Sequence, residues 1–291
     1  MNKLSVVLAT RNEENNIVDC LEAVKGIADE VIVVDETSED RTRELAKGFG
    51  AKVFKVKHEE IFHKTKQKAL NKASGDWILQ LDADEIVTPQ LAQEIKEIIS
   101  LSNEQIKSRR PDDGDKWQLF EKHKKAYERM YGRMGEDTGE IVAFLLPRLN
   151  YFVGKPLIHA GVYPDPAIRL VKKGKAHFPA KSVHENMQID GEVAWLFNDL
   201  EHRDSPSIKR YIMRMNRYTE LQSEEFVKNN LSKNLITLLY YSSIKPLWNF
   251  ILLYYRHGGY KDKLRGFLWS AFSSMHFPMA YYKYWTKGYT K

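Results

Sequence analysis

Asp82 and Asp84 stand one residue apart at the end of a short apolar run, W-I-L-Q-L, and Glu85 follows them directly. A run of that length suits a buried strand. A strand that releases two carboxylates at its C-terminal end puts hard oxygen ligands where open α/β sheets bind their ligands. Such a pair suits Mg²⁺ or Mn²⁺, which takes one or two carboxylates and completes its shell with substrate phosphates. An isolated D-x-D is as readily a solvated acidic turn ahead of a helix begun at Pro89, so its meaning depends on what lies upstream.

Upstream, residues 4–9 form a β-rich apolar run closed by Thr10-Arg11-Asn12-Glu13. Ile17, Cys20, Leu21 and Val24 then recur at helical spacing. Residues 30–35 (E-V-I-V-V-D) read as the next strand. Ser38 reads as an N-cap with Glu39 and Asp40 in the first turn of a helix that stops at Gly48 and Gly50. Residues 51–56 are expected as a third strand and 65–73 as a helix broken by Gly75. This alternation predicts βαβ units: an α/β fold on a mostly parallel sheet flanked by helices. The loops after successive strands then meet at one edge, and loops 10–13, 35–38 and 82–85 are all polar. They supply hydroxyls and carboxylates for a base and ribose. With neither G-x-G-x-x-G nor a P-loop present, the metal has to take the phosphate charge.

The remaining bulk properties narrow the class. The chain has 291 residues, enough for one large domain or two small ones. Its net charge of +6 points to a polyanionic partner: nucleic acid, anionic lipid or a diphosphate. The single cysteine, Cys20, excludes a disulfide framework and a Cys-ligated zinc, which fits a reducing cytoplasm. Met1-Asn2-Lys3 leads directly into the first strand, without the apolar length of a signal peptide.

The stretches S-V-V-L-A-T-R-N-E-E-N-N-I, V-I-V-V-D-E-T-S-E-D-R-T and L-D-A-D-E together resemble the donor half of family 2 glycosyltransferases, which have the GT-A fold. The resemblance implies that Thr10, Arg11, Asn12, Glu13 and Asp35 hold the nucleotide of a UDP-sugar. It gives Asp82 and Asp84 to ribose and metal, with Ala83 between them in the donor site. Lys66-Gln67 stands where the family often has Arg-Asn, so Lys66 keeps a donor-side cation. Asp35-Glu36-Thr37-Ser38 replaces the usual D-D-G-S. Further along, P-R-L-N-Y-F-V-G, Y-P-D-P-A-I-R-L and V-H-E with a following Gly191 and His202 resemble a narrower branch, the lipopolysaccharide core β-glucosyltransferases. That branch implies Glu185 as the catalytic base, set beside the acceptor among apolar neighbours that raise a carboxyl pKa. Arg169 and His184 become candidates for the diphosphate. Arg148, Tyr163 and His202 become candidates for the acceptor, with His202 alternatively a metal ligand and Arg148 alternatively a structural ion pair.

The expected organisation is a donor half over residues 1–100, a charged helical insert over 101–140, an acceptor half over 141–206 and a helical tail over 207–291. The insert reads as a solvated helical excursion carrying Trp117, Phe120, Tyr127 and Tyr131. In the tail, Tyr211, Met215, Tyr218 and Leu221 are expected on one helix face. The apolar stretch from Leu235 matches a membrane span in length, which needs ~20 residues, but Lys245-Pro246 is expected to cut it into halves too short to cross. From Tyr240 onward eight Lys or Arg stand against one acid, Asp262, amid Trp and Tyr. That composition suits the headgroup level of an anionic bilayer. The competing reading is a buried hairpin or a homo-oligomer interface. The whole implies a metal-dependent, inverting transfer of a hexose, first of all glucose from UDP-glucose, to a lipid-linked glycan by an enzyme peripheral on the inner face of the cell membrane. The absence of Q-x-x-R-W argues against a processive synthase. Two rivals are weaker. A nucleotidyltransferase needs a glycine-rich basic first loop, and a nucleic-acid-binding module needs a basic stripe rather than a basic aromatic tail.

Overall fold

The computed structural model describes residues 2–111, 113–179 and 187–287, without the side chains of Met130 and Tyr131. The chain divides into two compact units. One is the chain up to Arg148 with Pro164–His202; the other is Leu149–Tyr163 with the chain from Arg203 onward.

The first unit opens with β1 (Leu4–Thr10), α1 (Ile17–Val24), β2 (Glu30–Asp35), α2 (Thr42–Gly48), β3 (Lys52–Lys55), α3 (Phe62–Lys72) and β4 (Trp77–Leu81). These strands pair in parallel in the order β3-β2-β1-β4. Then come β5 (Glu85–Val87), α4 (Pro89–Ile98), α5 (Asn103–Ser108) and α6 (Gly114–Tyr131). The later strands are β6 (Ile141–Phe152), β7 (Lys155–Pro156), β8 (Asp165–Lys172), β9 (Ala176–His177), β10 (Gln188–Ile189), β11 (Glu192–Trp195) and β12 (Leu200–Ser205). The sheet continues past β4 as β8-β6-β12-β5, with β8 antiparallel to both β4 and β6. The α/β class holds; the sheet is parallel through its first four strands, and β11 adds a further parallel pair on β6. β5 begins four residues after β4 ends, yet it is the fourth strand over from it. Four strand spacings in a flat sheet are about 19 Å. Four residue steps reach at most about 14 Å. The sheet must therefore curl, and the link that forces the curl is Asp82-Ala83-Asp84.

Strand alternation sorts the side chains onto two faces. Leu4, Val6, Leu8, Trp77, Leu79 and Leu81 face α1 and α4 in one core, while Val7, Ile78, Ile32 and Val34 face α3 in the other. Continued past Leu81, the same alternation gives Ala83 to the α1 side and Gln80 and Asp82 to the α3 side. α3 buries Thr65, Lys66, Ala69 and Leu70, so Lys66 lies on its inward face.

Two local expectations are corrected. Ser38 caps no helix: its hydroxyl serves Asp35 and the Asn12 N–H instead, and α2 starts only at Thr42. The insert is not a solvated excursion. Phe120 of α6 is fully buried and stacks on Trp195 with ring centroids 4.5 Å apart.

The second unit is mainly helical: α7 (Ile208–Lys228), α8 (Leu235–Leu239), α9 (Lys245–Ile251) and α10 (Lys263–Thr286). α10 packs against α7 and α9, and Phe226, Tyr281 and Tyr284 form its small core. Any side chain at Gly266 of α10 would strike the Gly259 carbonyl at 1.8 Å, so that close approach requires glycine. On α7 the inward face carries Thr219, Ser223 and Phe226, with Tyr211 and Met215 half-buried. Tyr218 is 47% exposed and does not belong to that face. The expected break at Lys245-Pro246 is also absent. α8 passes into α9 through a π turn, Tyr240–Ile244, in which the Lys245 N–H reaches back five residues to the Tyr240 carbonyl. A wider turn there accommodates the proline ring, which an α-helical turn would clash with.

Candidate active site

The loops after β1 and β2 are tied together by Asp35. It is fully buried, and its Oδ2 accepts from Thr10 Oγ1 at 2.9 Å and Ser38 Oγ at 2.5 Å. Its Oδ1 accepts the Ser38 N–H at 2.8 Å, with the Arg43 guanidinium 3.5 Å away. Asn12 completes the junction. Its N–H donates to Ser38 Oγ and its Oδ1 accepts the Glu39 N–H, each at 2.9 Å. Asn12 (φ 56°) and Thr37 (φ 52°) both lie in the left-handed region, which a β-branched residue such as Thr37 rarely enters. Strain held at two facing loop tips marks a functional edge. Glu13 turns inward to its own loop, its carboxylate accepting from Asn16 and its N–H donating to Thr42.

Glu36 is fully buried and receives the Thr65 hydroxyl and, at 2.7 Å, Nδ1 of His58. Arg11, exposed, lies 3.0 Å from the same imidazole. The carboxylate that departs from the family's D-D-G-S thus anchors a half-exposed histidine. The sequence reading did not single out His58.

At the third loop, Lys66 Nζ sits 2.5 Å from Asp82 Oδ1, and Arg169 Nη2 sits 2.8 Å from Asp82 Oδ2. Burial alone would push the Asp82 carboxyl up, but these two cations outweigh it and hold the group far below the usual carboxylate range. Arg169 is itself buried, its other nitrogens donating to Gln80 at 2.8 Å and to Glu85. Four hydrogen bonds from that guanidinium go to side chains of this site. His202 Nε2 lies 3.8 Å from Asp84 Oδ1, because β12 pairs with β5 in a register that sets His202 opposite Glu85. Arg148 bridges Asp165 at 2.6 Å and Glu85 at 3.4 Å, the ion-pair alternative of the sequence reading. Cys20 is core: burial and the nearby carboxylates push its thiol well up, leaving it inert.

The structure therefore brings Thr10, Arg11, Asn12, Glu13, Asp35, Lys66, Asp82, Ala83, Asp84, Arg148, Arg169 and His202 into one unit. Tyr163 belongs to the other, and His184 and Glu185 lie outside the described residues. Among the described residues no group of three or more His, Cys, Asp or Glu is disposed to hold a metal ion. Asp82 and Asp84, whose side chains are 26% and 20% exposed, nevertheless fit a divalent cation by donor type. Two hard carboxylates that need a substrate to complete the shell are the expected set for Mg²⁺ or Mn²⁺.

An uncharacterized glycosyltransferase of Rickettsia typhi is 41% identical over 104 residues, 36% of this chain and 35% of that protein. The match spans about a third of the length of such curated relatives. The lipopolysaccharide core biosynthesis glycosyltransferase LpsC of Rhizobium meliloti is 23% identical over 271 residues, covering 91% of this chain and 85% of that one. Among solved structures, glucosyl-3-phosphoglycerate synthase of Mycobacterium tuberculosis in complex with phosphoglyceric acid aligns with a TM-score of 0.45 at 16% identity, over 80% of this chain and 82% of that one. Residues 5–152, just over half of the chain, match the description Glycosyl transferase family 2, and the chain belongs to that family.

Proposed function

We propose that this protein moves a hexose from a UDP-sugar, first of all UDP-glucose, to a lipid-linked glycan of the lipopolysaccharide-core type, with inversion and one sugar per encounter. The observation that carries the reading is the meeting of three strand ends, those of β1, β2 and β4, with Lys66 and His202 around Asp82 and Asp84 in a family 2 chain. Thr10, Asn12 and Asp35 shape the nucleotide loops. Asp35 does so as the buried brace between them, so its part in nucleotide binding is mainly to hold those loops. A bound Mg²⁺ or Mn²⁺ would neutralise the charge that develops on the departing diphosphate. Lys66, 8% exposed, supplies a second positive charge at the same point. Glu185 takes the proton of the acceptor hydroxyl as its oxygen bonds to the anomeric carbon and the bond to the diphosphate breaks. No covalent intermediate with the protein is needed. The acceptor class is favoured by the LpsC relative, whose likeness extends along 91% of this chain.

The test is a panel of nucleotide diphospho-sugars with Mn²⁺, read by protection of the fold from heat. UDP-glucose should protect most, and Asp84→Ala should abolish the metal-dependent part. A panel in which no UDP-sugar protects the wild-type protein would overturn the assignment.

A peripheral attachment to an anionic bilayer completes the proposal. Among the described residues no helix is long and apolar enough to cross a membrane. The run from α8 through α9 to a second π turn, Leu252–Arg256, contains no buried residue. Leu235, Ile236, Leu239, Tyr240, Ile244, Leu247, Trp248, Ile251 and Tyr255 of that run are all exposed, repeating at close to four-residue intervals. On a pure α-helix a four-residue repeat drifts about 40° per step, so the stripe would wind around the rod. The two π turns hold more residues per turn and take up that drift, which keeps the stripe on one side. An unpartnered apolar stripe beside basic charge is the pattern of a helix lying in the membrane interface.

A further inference from the structure

Glu85 forms no part of the sequence-based site, yet it is fully buried beneath the two aspartates. Its backbone N–H donates to the Asp82 carbonyl at 3.0 Å, and its Oε2 accepts the Asp82 N–H at 3.0 Å, closing the Asp82–Glu85 turn from both sides. Its Oε1 takes Arg169 Nη2 at 2.7 Å and Nε at 3.2 Å, with Arg148 Nη1 at 3.4 Å. Arg169 Nη2 is thus divided between Glu85 Oε1 and Asp82 Oδ2, at 2.7 and 2.8 Å. A buried guanidinium facing Asp82 alone would neutralise the carboxylate that has to attract a divalent cation. A second carboxylate behind it shares that charge.

We propose that Glu85 is a positioning residue for the metal–diphosphate site: it fixes the Asp82–Asp84 turn and draws the charge of Arg169 away from Asp82. The inference rests on the reading that Asp82 and Asp84 hold the metal. It also gives Arg169, which makes four hydrogen bonds to Gln80, Asp82 and Glu85, a place in the same clamp.

Glu85→Gln keeps the shape but removes the charge, and its amide nitrogen must face either the Asp82 N–H or the guanidinium, both of them donors. Binding of Mn²⁺ in the presence of UDP is followed by calorimetry and by the paramagnetic signal of free Mn²⁺, neither of which depends on turnover. Glu85→Gln should weaken Mn²⁺ binding about 10–100-fold, the range for removing an outer-shell partner of a metal ligand. The charge-balanced pair Glu85→Gln with Arg169→Met should bring the affinity back toward wild type. A merely structural role predicts that the double change binds Mn²⁺ no better than the single one. Wild-type affinity in Glu85→Gln, or a double variant that binds no more tightly than the single, overturns the proposal. Should the single variant not fold, the double decides alone, and a loss beyond about tenfold refutes the clamp. If the wild-type protein itself binds no Mn²⁺ with UDP, the metal reading fails, which is a different outcome from failure of the clamp.

Discussion

Replacing Leu247 and Trp248 together by serine tests the bilayer face at its one tryptophan. The two side chains are 62% and 67% exposed, so they contribute little to the fold and have most of their apolar area to offer a membrane. Moving a leucine fully out of water is worth about 2 kcal/mol, of which the exposed share here is about 1.2 kcal/mol. A tryptophan offers roughly 200 Å², and its exposed two-thirds at about 25 cal/mol per Å² comes to ~3 kcal/mol. An interfacial helix sinks its apolar face only ~5–10 Å, so about half of that total, roughly 2 kcal/mol, is realised. That corresponds to about a thirtyfold drop in partitioning. The assay is co-sedimentation with phosphatidylcholine vesicles containing phosphatidylglycerol, alongside thermal melting of the free protein. Melting should stay unchanged while binding falls. Unaltered partitioning would refute the membrane face. A large drop in melting temperature would show that these side chains are packed rather than presented.

Glu185→Gln should leave UDP and Mn²⁺ binding intact while transfer collapses by about 10²–10⁴-fold, the usual worth of a general base; equal loss of both would make Glu185 structural. Phe120→Ala, which empties a fully buried ring site beside Trp195, should cost about 3–5 kcal/mol in urea unfolding. A loss under about 1 kcal/mol would return α6 to the status of a solvated arm. The Glu30 carboxyl is held at about 2: burial pushes it up, but hydrogen bonds from Ser5, Ser74 and Lys52 outweigh that. A depressed folded pKa contributes stability above the unfolded value near 4.5 and loses it as pH falls toward about 2. Glu30→Gln should therefore flatten the acid limb of a stability–pH curve in that window, and an unchanged limb would contradict the assignment.

What the sequence disclosed about the site follows from how each signal is written. β1, β2 and β4 are uninterrupted apolar runs ending in polar loops, so their existence and the convergence of residues 10–13, 35–38 and 82–85 needed no tertiary information. Glu85 was invisible for the opposite reason. An acid following two acids reads as a solvated turn, and only the curl that brings β6 and β8 alongside shows it facing two arginines. Arg169 was legible as a candidate cation but not as one bonded to Gln80, Asp82 and Glu85, since these partners lie more than eighty residues away. In the insert, aromatic spacing revealed the helix but not its burial, because Trp195 comes from a strand 75 residues later. The π turns left no trace at all. Proline in an apolar stretch usually ends a helix, and only the wider turn ahead of Pro246 makes the exception.

The net charge of +6 conceals two opposite parts. Residues 207–291 contain fourteen Lys and Arg against four acids, a balance of +10, so the preceding 206 residues carry −4. The half of the chain that is to hold a diphosphate is thus acidic, and a general positive field cannot recruit the nucleotide there. On the proposed function, local cations do it: Lys66, which faces Asp82, and the divalent ion proposed for the aspartates. Buried or chelated charges of this kind are screened little by salt, whereas exposed charges lose their reach beyond about 8 Å at physiological ionic strength. The two activities should therefore separate on a salt axis. Raising NaCl from low to several tenths molar should strip the protein from anionic vesicles, each exposed Lys or Arg near the surface contributing about 1 kcal/mol. Affinity for UDP with Mn²⁺, measured on the same samples, should change far less. If both fall together, the basic tail is serving the nucleotide rather than a membrane, and the division of labour argued from charge is wrong.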